Sequence, residues 1–341
     1  MKAIRIHKHG NENVLQIDEI PEPEPKSGDV KINIKASSLN HMDLWVREGI
    51  SGIAPLPLIL GCDGSGVVSS CGSGVANVVP GDRVFIHPVL SCGECAACKQ
   101  GLENHCRYMQ LFGEHVNGTH CEFICVPEKN VLKLDENISF EEAAAFPLVY
   151  LTAWHMLVYN GKVKQGSRVL VMGGSGGVGS AAIQIAKQQG AFVIATAGSA
   201  EKQRQALALG ADEVIDHYKE SISKRVKEIT TKQGVDIIIE HVGEKVWSEC
   251  LKALGMSGSL VTCGATSGPM ITMDLRHLFI KQQKIIGSTM GNLNELKEIY
   301  SHIVSGALKP FVGKVFPYAD VRKAHHYLEN SEHFGKVVLN W

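Results

Sequence analysis

The clearest periodic signal in the first third of the chain is the run "DVKINIKASSLN", in which Val30, Ile32 and Ile34 alternate with Lys31, Asn33 and Lys35. A period of two is that of a strand with one face on a core and the other in water. Nearby lie the proline-rich turn "PEPEP" at Pro21 to Pro25 and the stretch "GVVSSCGSGV", where glycines break up short strands. No helix-period stretch interrupts this region for long, so it reads as antiparallel β structure. Near Gly166 the pattern changes to short apolar runs alternating with helical segments, the mark of a parallel sheet with crossover helices. Val169 to Met172 is the first strand, and "AFVIATA", "DEVID", "VDIIIEHVG", "GSLVTCGAT" and "KIIGSTMG" are further strand candidates. The helix after the first strand carries Val178, Ala182 and Ile185 on one side and is expected to end at Gly190.

With 341 residues the chain exceeds the roughly 250 to 300 at which single cores stop growing, which points to two domains. A content of 44% apolar residues with 35 glycines suits an ordered globular protein rich in tight turns. Lys plus Arg (34) nearly cancels Asp plus Glu (35), so no net field attracts a polyanion, and no nucleic-acid partner is expected. The N-terminal "MKAIRIHKHG" lacks an apolar signal core, and no segment approaches the ~20 apolar residues of a membrane span. The expectation is a cytoplasmic protein with no membrane partner.

A reducing compartment disfavours disulfides, which gives the segment "SCGECAACKQGLENHC" its meaning. Cys92, Cys95, Cys98 and Cys106 are spaced so that one loop can wrap a tetrahedral ion, with Gly93 and Gly101 allowing the tight turns. An iron–sulfur run also begins C-x2-C-x2-C but places its fourth cysteine three residues on, before a proline. Here seven residues intervene and Arg107 follows, so zinc is the better fit. Four protein ligands leave no open position, so one structural zinc per chain is expected, not a catalytic one.

In "RVLVMGGSGGVGSAAIQIAKQQG", Gly174, Gly176 and Gly179 form a G-x-G-x-x-G between a strand and a helix, with Gly177 and Val178 inside the loop. In that setting the glycines permit a tight turn, close approach to a pyrophosphate and close helix packing at a helix N-terminus. The second strand ends in "ATAGSAEK". An acid there would bond the ribose of NAD, but Ala197, Gly198 and Ser199 carry none, and Lys202 supplies a positive charge. NADP(H) is therefore favoured over NAD(H), with Glu201 arguing mildly the other way.

Together these features resemble the medium-chain dehydrogenase/reductase superfamily, the relatives of zinc alcohol dehydrogenases and quinone oxidoreductases. The likeness spans essentially the whole chain: "GDRVFIHPVLSCGECAACKQG" is similar to the superfamily's structural-zinc lobe, "EEAAAFPLVYLTAW" to its domain crossover, and "FGKVVL" to its ending. The resemblance implies an α/β protein in which residues 1–149 and 292–341 form a GroES-like catalytic domain and residues 150–291 a Rossmann domain. Zinc alcohol dehydrogenases also hold a catalytic zinc through Cys, His and Cys. At those positions this chain has Asn40, the pair Cys62 and Asp63, and Leu148. "SLNHMDLWVREG" is instead similar to the Asn-x-x-Asp signature of the quinone oxidoreductase branch, which works without metal. His41, Cys62 and Asp63 are competent ligands and leave an altered metal site as the alternative, although Leu148 cannot take part.

By this resemblance the Asn40 amide stabilises developing oxyanion character, Asp43 orders the loop and Trp45 lines an apolar pocket. Thr152 and Gly264 flank the nicotinamide, and His241 contacts the ribose or backbone, with a proton relay as its other role. The implied activity is NADPH-dependent reduction of a small quinone or α,β-unsaturated carbonyl. A zinc-dependent alcohol dehydrogenase is the first alternative, and an NADPH-binding sensor or RNA-associated protein, as some relatives are, is the second. The apolar "KIIGSTMG" strand resembles the family's subunit-pairing edge and implies a homodimer or homotetramer.

Overall fold

The computed structural model describes residues 1–50 and 55–341 and separates into two compact units, Met1–Leu148 with Asn292–Trp341, and Val149–Gly291. The larger unit is built on a seven-stranded sheet whose central member is Asp29–Leu39. Val30, Ile32 and Ile34 turn one face of that strand into a core shared with Val68, Val84, Ile86 and Val126. The opposite face is not simply solvated. Lys31 is buried as well, its Nζ 2.9 Å from Glu22 in the proline-rich turn and over the ring of Phe123. The turn thus lays a carboxylate and the strand Phe123–Pro127 an aromatic ring over a position that alternation alone assigns to water.

Strand pairing does the positioning work. Val337 pairs with Leu39 and Val338 with Ser38, while Ser38 pairs on its other side with Asp63. One step past the last pair, Lys336 stands opposite Asn40. At that strand end the chain turns into the helix His41–Glu48, which the sequence pattern did not announce. Eight residues give too short a run for a period of 3.6 to stand out. The helix is fixed at its start by Asp43, whose Oδ2 accepts the Asn40 backbone N–H at 2.7 Å, and at its end by Gly49 at φ +83°.

The second unit holds six parallel strands in the spatial order Glu213–Ile215, Phe192–Thr196, Arg168–Val171, Val235–Glu240, Leu254–Thr262 and Lys284–Gly287. Numbered along the chain this is 3-2-1-4-5-6, the doubly wound order, in which ligands bind at the carboxyl ends of the strands where the order reverses. The helix Gly177–Gln188 follows the first strand there, and Gly190 at φ +76° returns the chain to the second. The core is aliphatic, with Leu170, Ile194, Ile215, Ile238 and Leu260 from five strands packing on Val226, Trp247 and Leu251. Among the described residues no helix is long and apolar enough to cross a membrane.

Candidate active site and metal centre

Cys92, Cys95, Cys98 and Cys106 bring their sulfurs within 4.8 Å of one another, the sole convergence of three or more Cys, His, Asp or Glu ligand atoms among the described residues. The Sγ–Sγ separations include 3.8 Å for Cys92–Cys98, 3.5 Å for Cys95–Cys98 and 3.5 Å for Cys92–Cys106. A tetrahedron with zinc–sulfur bonds of about 2.3 Å has edges of about 3.8 Å, so the donor set fits zinc. Backbone amides prepare the thiolates: Cys95 N–H points at Cys92 Sγ and Tyr108 N–H at Cys106 Sγ, each at 3.4 Å. Amides of Glu94 and Cys95 pull the Cys92 thiol down to about 6. All four positions are filled by protein sulfur, so zinc held here would stabilise the lobe and leave no site for substrate. The lobe is tied into its unit through Glu103, whose Oε2 accepts the Leu293 N–H at 3.4 Å.

In the same unit a second polar cluster is buried under the start of the helix His41–Glu48. Asp63, fully buried, is its hub. Its Oδ2 accepts from Asn40 Nδ2 at 2.9 Å and Lys336 Nζ at 3.3 Å and lies 3.3 Å from Ser38 Oγ, whose proton goes to the Ala144 carbonyl at 2.7 Å, and its Oδ1 accepts the Leu148 N–H at 2.8 Å. Lys336 also donates to Asn40 Oδ1. Asp43 lies beside this group, its Oδ1 taking the Gly61 N–H at 2.9 Å while Oδ2 holds Asn40. Burial pushes the Asp43 carboxyl up to about 6, against the pull of the Asn40 and Gly61 amides and the nearby Lys336 charge.

Asp63, one of the three residues available for an altered catalytic metal, is therefore engaged by an ammonium, a carboxamide and a backbone amide. Cys62 is fully buried beside it, and burial raises its thiol well above the usual range. His41 is exposed and meets Trp45 edge to face, ring centroids 5.0 Å apart. His41, Cys62 and Asp63 do not gather their ligand atoms as the four cysteines do. Lys336 and Ser38 escaped the sequence reading. A lysine opening the apolar run "KVVL" was the available signal, but only sheet register shows that it lies against Asn40, 296 positions away.

In the second unit the glycine loop is shaped by close approach. A Cβ on Gly179 would fall 2.1 Å from the Gly173 carbonyl oxygen, and one on Gly174 would fall 3.1 Å from Ala195 Cβ. Gly176 caps the helix that Gly177, Val178 and Gly179 begin, leaving the first-turn N–H groups directed at the strand ends. Ser199 caps the next helix, its Oγ accepting the Lys202 N–H at 3.3 Å. Glu201 is drawn to Arg204. The His241 ring lies against Gly173, where a Cβ would come 2.8 Å from its Cε1, and its Nε2 is buried with no partner among the described residues. Burial lowers its imidazole pKa, the neighbouring Glu240 and the Met172 backbone acting the other way. Glu240, another residue the sequence reading passed over, closes the turn beyond its strand: Oε1 accepts Val242 and Gly243 N–H, and Oε2 accepts the Thr262 hydroxyl at 3.1 Å. That hydroxyl is also 3.3 Å from the Gly264 carbonyl, and buried Thr152 directs its hydroxyl to Met290 Sδ at 3.9 Å.

A four-thiolate lobe on a β-rich unit, together with a glycine loop at the reversal point of a parallel sheet, defines a nucleotide-dependent oxidoreductase. The alcohol dehydrogenase GroES-like domain family matches residues 26–136, and the zinc-binding dehydrogenase family matches residues 177–305. The chain is 33% identical to a quinone oxidoreductase of Salmonella typhimurium over 98% of each chain. It is 30% identical to a quinone oxidoreductase of Homo sapiens over 99% of this chain and 97% of that one. A crystal structure of an NAD-dependent alcohol dehydrogenase matches with a TM-score of 0.97 and 44% identity over 100% of both chains. The chain belongs to the medium-chain dehydrogenase/reductase superfamily.

Proposed function

We propose that the protein is an NADPH-dependent reductase of quinones or α,β-unsaturated carbonyl compounds, with zinc held structurally by Cys92, Cys95, Cys98 and Cys106. The observation that carries this reading is the Asn40 side chain. Its amide takes the place of a metal-ligating cysteine, is held by Asp63 and Lys336, and keeps a second Nδ2 hydrogen with no acceptor among the described residues. A fixed donor of that kind suits an oxygen that gains negative charge as hydride arrives. Trp45, half-buried on the same helix, supplies an apolar wall for a flat substrate, and Asp43 anchors the helix start. In the nucleotide-binding unit, the helix N-terminus at Gly174 to Gly179 receives the pyrophosphate. Ser199 and Lys202 receive the 2′-phosphate, and Thr152, His241 and Gly264 border the nicotinamide and its ribose. When bound, the cofactor supplies the hydride.

A second reading, an NAD-dependent alcohol dehydrogenase, is favoured by the 44% identity to a structure so described. Two assays on one preparation decide: NADPH oxidation with 1,4-naphthoquinone and NAD+ reduction with primary and secondary alcohols. Quinone reduction at about one zinc per chain supports the first reading. Alcohol oxidation lost in step with a second, chelatable zinc replaces it with the other. The edge strand Lys284–Gly287 and the exposed Phe279 and Ile280 beside it support assembly into a homodimer or homotetramer through this edge.

A further inference from the structure

Lys336 is a cation 3% exposed at the start of a strand whose next three residues, Val337, Val338 and Leu339, are aliphatic core. Two groups receive its ammonium, the Asn40 side-chain oxygen and Asp63 Oδ2. Asn40 Nδ2 in turn donates to that same Asp63 oxygen. The three side chains close a ring in which both ends of the Asn40 amide are occupied, so its plane cannot rotate and its oxygen and nitrogen cannot exchange places. One Nδ2 hydrogen is left over. A cation on the oxygen of an amide draws electron density from the nitrogen and makes its remaining N–H a stronger donor, an effect that grows where water is excluded.

We propose that Lys336 is the positioning residue of the reduction site: it locks the Asn40 amide in one orientation and polarises the free N–H toward the anionic oxygen of the substrate. This rests on the reductase reading above. Hydride transfer adds an electron pair to the substrate, the carbonyl π pair moves onto oxygen, and NADPH is oxidised to NADP+. The oxygen is then neutralised by a proton from water. Lys336 takes no part in these bond changes and acts through Asn40 alone.

A purely structural role, in which Lys336 does no more than balance the buried charge of Asp63, makes a different prediction. Lys336→Met leaves Asp63 uncompensated and lowers both stability and turnover under either account. Asp63→Asn/Lys336→Met removes both charges and still gives Asn40 Nδ2 an acceptor. Our proposal expects the double variant to recover most of the wild-type melting temperature, keep NADPH affinity within twofold, and remain at least tenfold down in kcat with 1,4-naphthoquinone. Recovery of kcat together with melting temperature overturns it. The 15N–1H signals of the Asn40 side-chain amide, assigned by their loss in Asn40→Asp, are read in the same proteins and in Asp63→Asn. They are expected to lie further upfield in the double variant than in Asp63→Asn alone, and equal signals in those two proteins overturn the positioning role. A wild type with no quinone turnover but with the expected amide shift would overturn the reductase reading while leaving the Lys336–Asn40 coupling in place.

Discussion

Asp63 Oδ1 accepts the backbone N–H of Leu148 at 2.8 Å, joining a sheet strand to the helix that leads into the second unit. Its other oxygen faces Lys336 and Asn40, so one buried carboxylate organises strand, helix and C-terminal strand together. Removing one partner of a buried ion pair is far more damaging than the net worth of the pair, because the other charge is left without water or counter-ion. Asp63→Ala is expected to cost ~3 to 5 kcal/mol. Urea denaturation measures this, and a loss below about 1 kcal/mol would mean that solvent reaches Lys336.

The zinc lobe should respond differently. Cys98→Ser removes one of four thiolates, and structural zinc is worth ~10 to 16 kcal/mol in small peptides, so the metal should be lost and the surrounding unit loosened. Glu103 and Leu293 carry that loosening to the start of the helix Leu293–Val304. Zinc content by atomic absorption should fall below a tenth of the wild-type value and the melting temperature should drop. Tight nucleotide binding is expected to persist at low temperature, since the second unit has its own core. Retention of zinc at the wild-type ratio would show that three thiolates suffice.

The parallel-sheet unit was legible in the sequence because its first, second and fourth strands carry the apolar runs Val169–Val171, Phe192–Ala195 and Ile237–Ile239 shortly after Gly166, Gly190 and Gly234, and the loop glycines have local steric reasons visible at Gly179 and Gly174. The cysteine lobe was legible for a similar reason, its four ligands lying within sixteen residues. The Asn40 cluster was not, since it assembles from three strand ends brought together by register, with partners 23 and 296 positions from Asn40. The burial of Lys31 escaped for the same cause, its cover of Glu22 and Phe123 coming from outside the strand. Local pattern reports what a residue's neighbours in sequence impose, and these positions answer to neighbours in space.

Cofactor selection should sit at Lys202. Glu201 is paired with Arg204 and Ser199 is held at the helix cap, so no carboxylate from Ala197 to Ser199 competes for the ribose. Lys202→Ala should weaken NADPH by ~1.5 to 3 kcal/mol, the range for a charge-assisted hydrogen bond, and leave NADH nearly unchanged. Fluorescence titration of both cofactors reads the difference. Equal losses would show that this lysine does not read the phosphate.

Acid sensitivity follows from histidines buried without charge. Burial pulls His87 and His120 down to about 3 and lowers His325 well below its usual range, and the ring nitrogens of His87 have no partner among the described residues. For each, the unfolded chain binds a proton below about pH 6.5 that the folded chain refuses, so stability present above that pH is lost as the pH falls toward 3. At pH 5 this amounts to about 2 kcal/mol for each of His87 and His120. Asp43 works in the opposite sense. Its folded carboxyl is raised to about 6, so the native state takes up a proton before the unfolded one does and regains about 1 kcal/mol between neutral pH and pH 5. The histidines outweigh it by about 3 kcal/mol, and the protein should be at least about a hundredfold closer to unfolding at pH 5 than at pH 7.5. His87→Leu deletes one of the opposing terms without breaking a side-chain hydrogen bond. In guanidinium titrations its stability should fall less between pH 7.5 and pH 5 than that of the wild type, by about 2 kcal/mol. Parallel losses in the two proteins would mean that the His87 imidazole reaches water and titrates as it does in the unfolded chain.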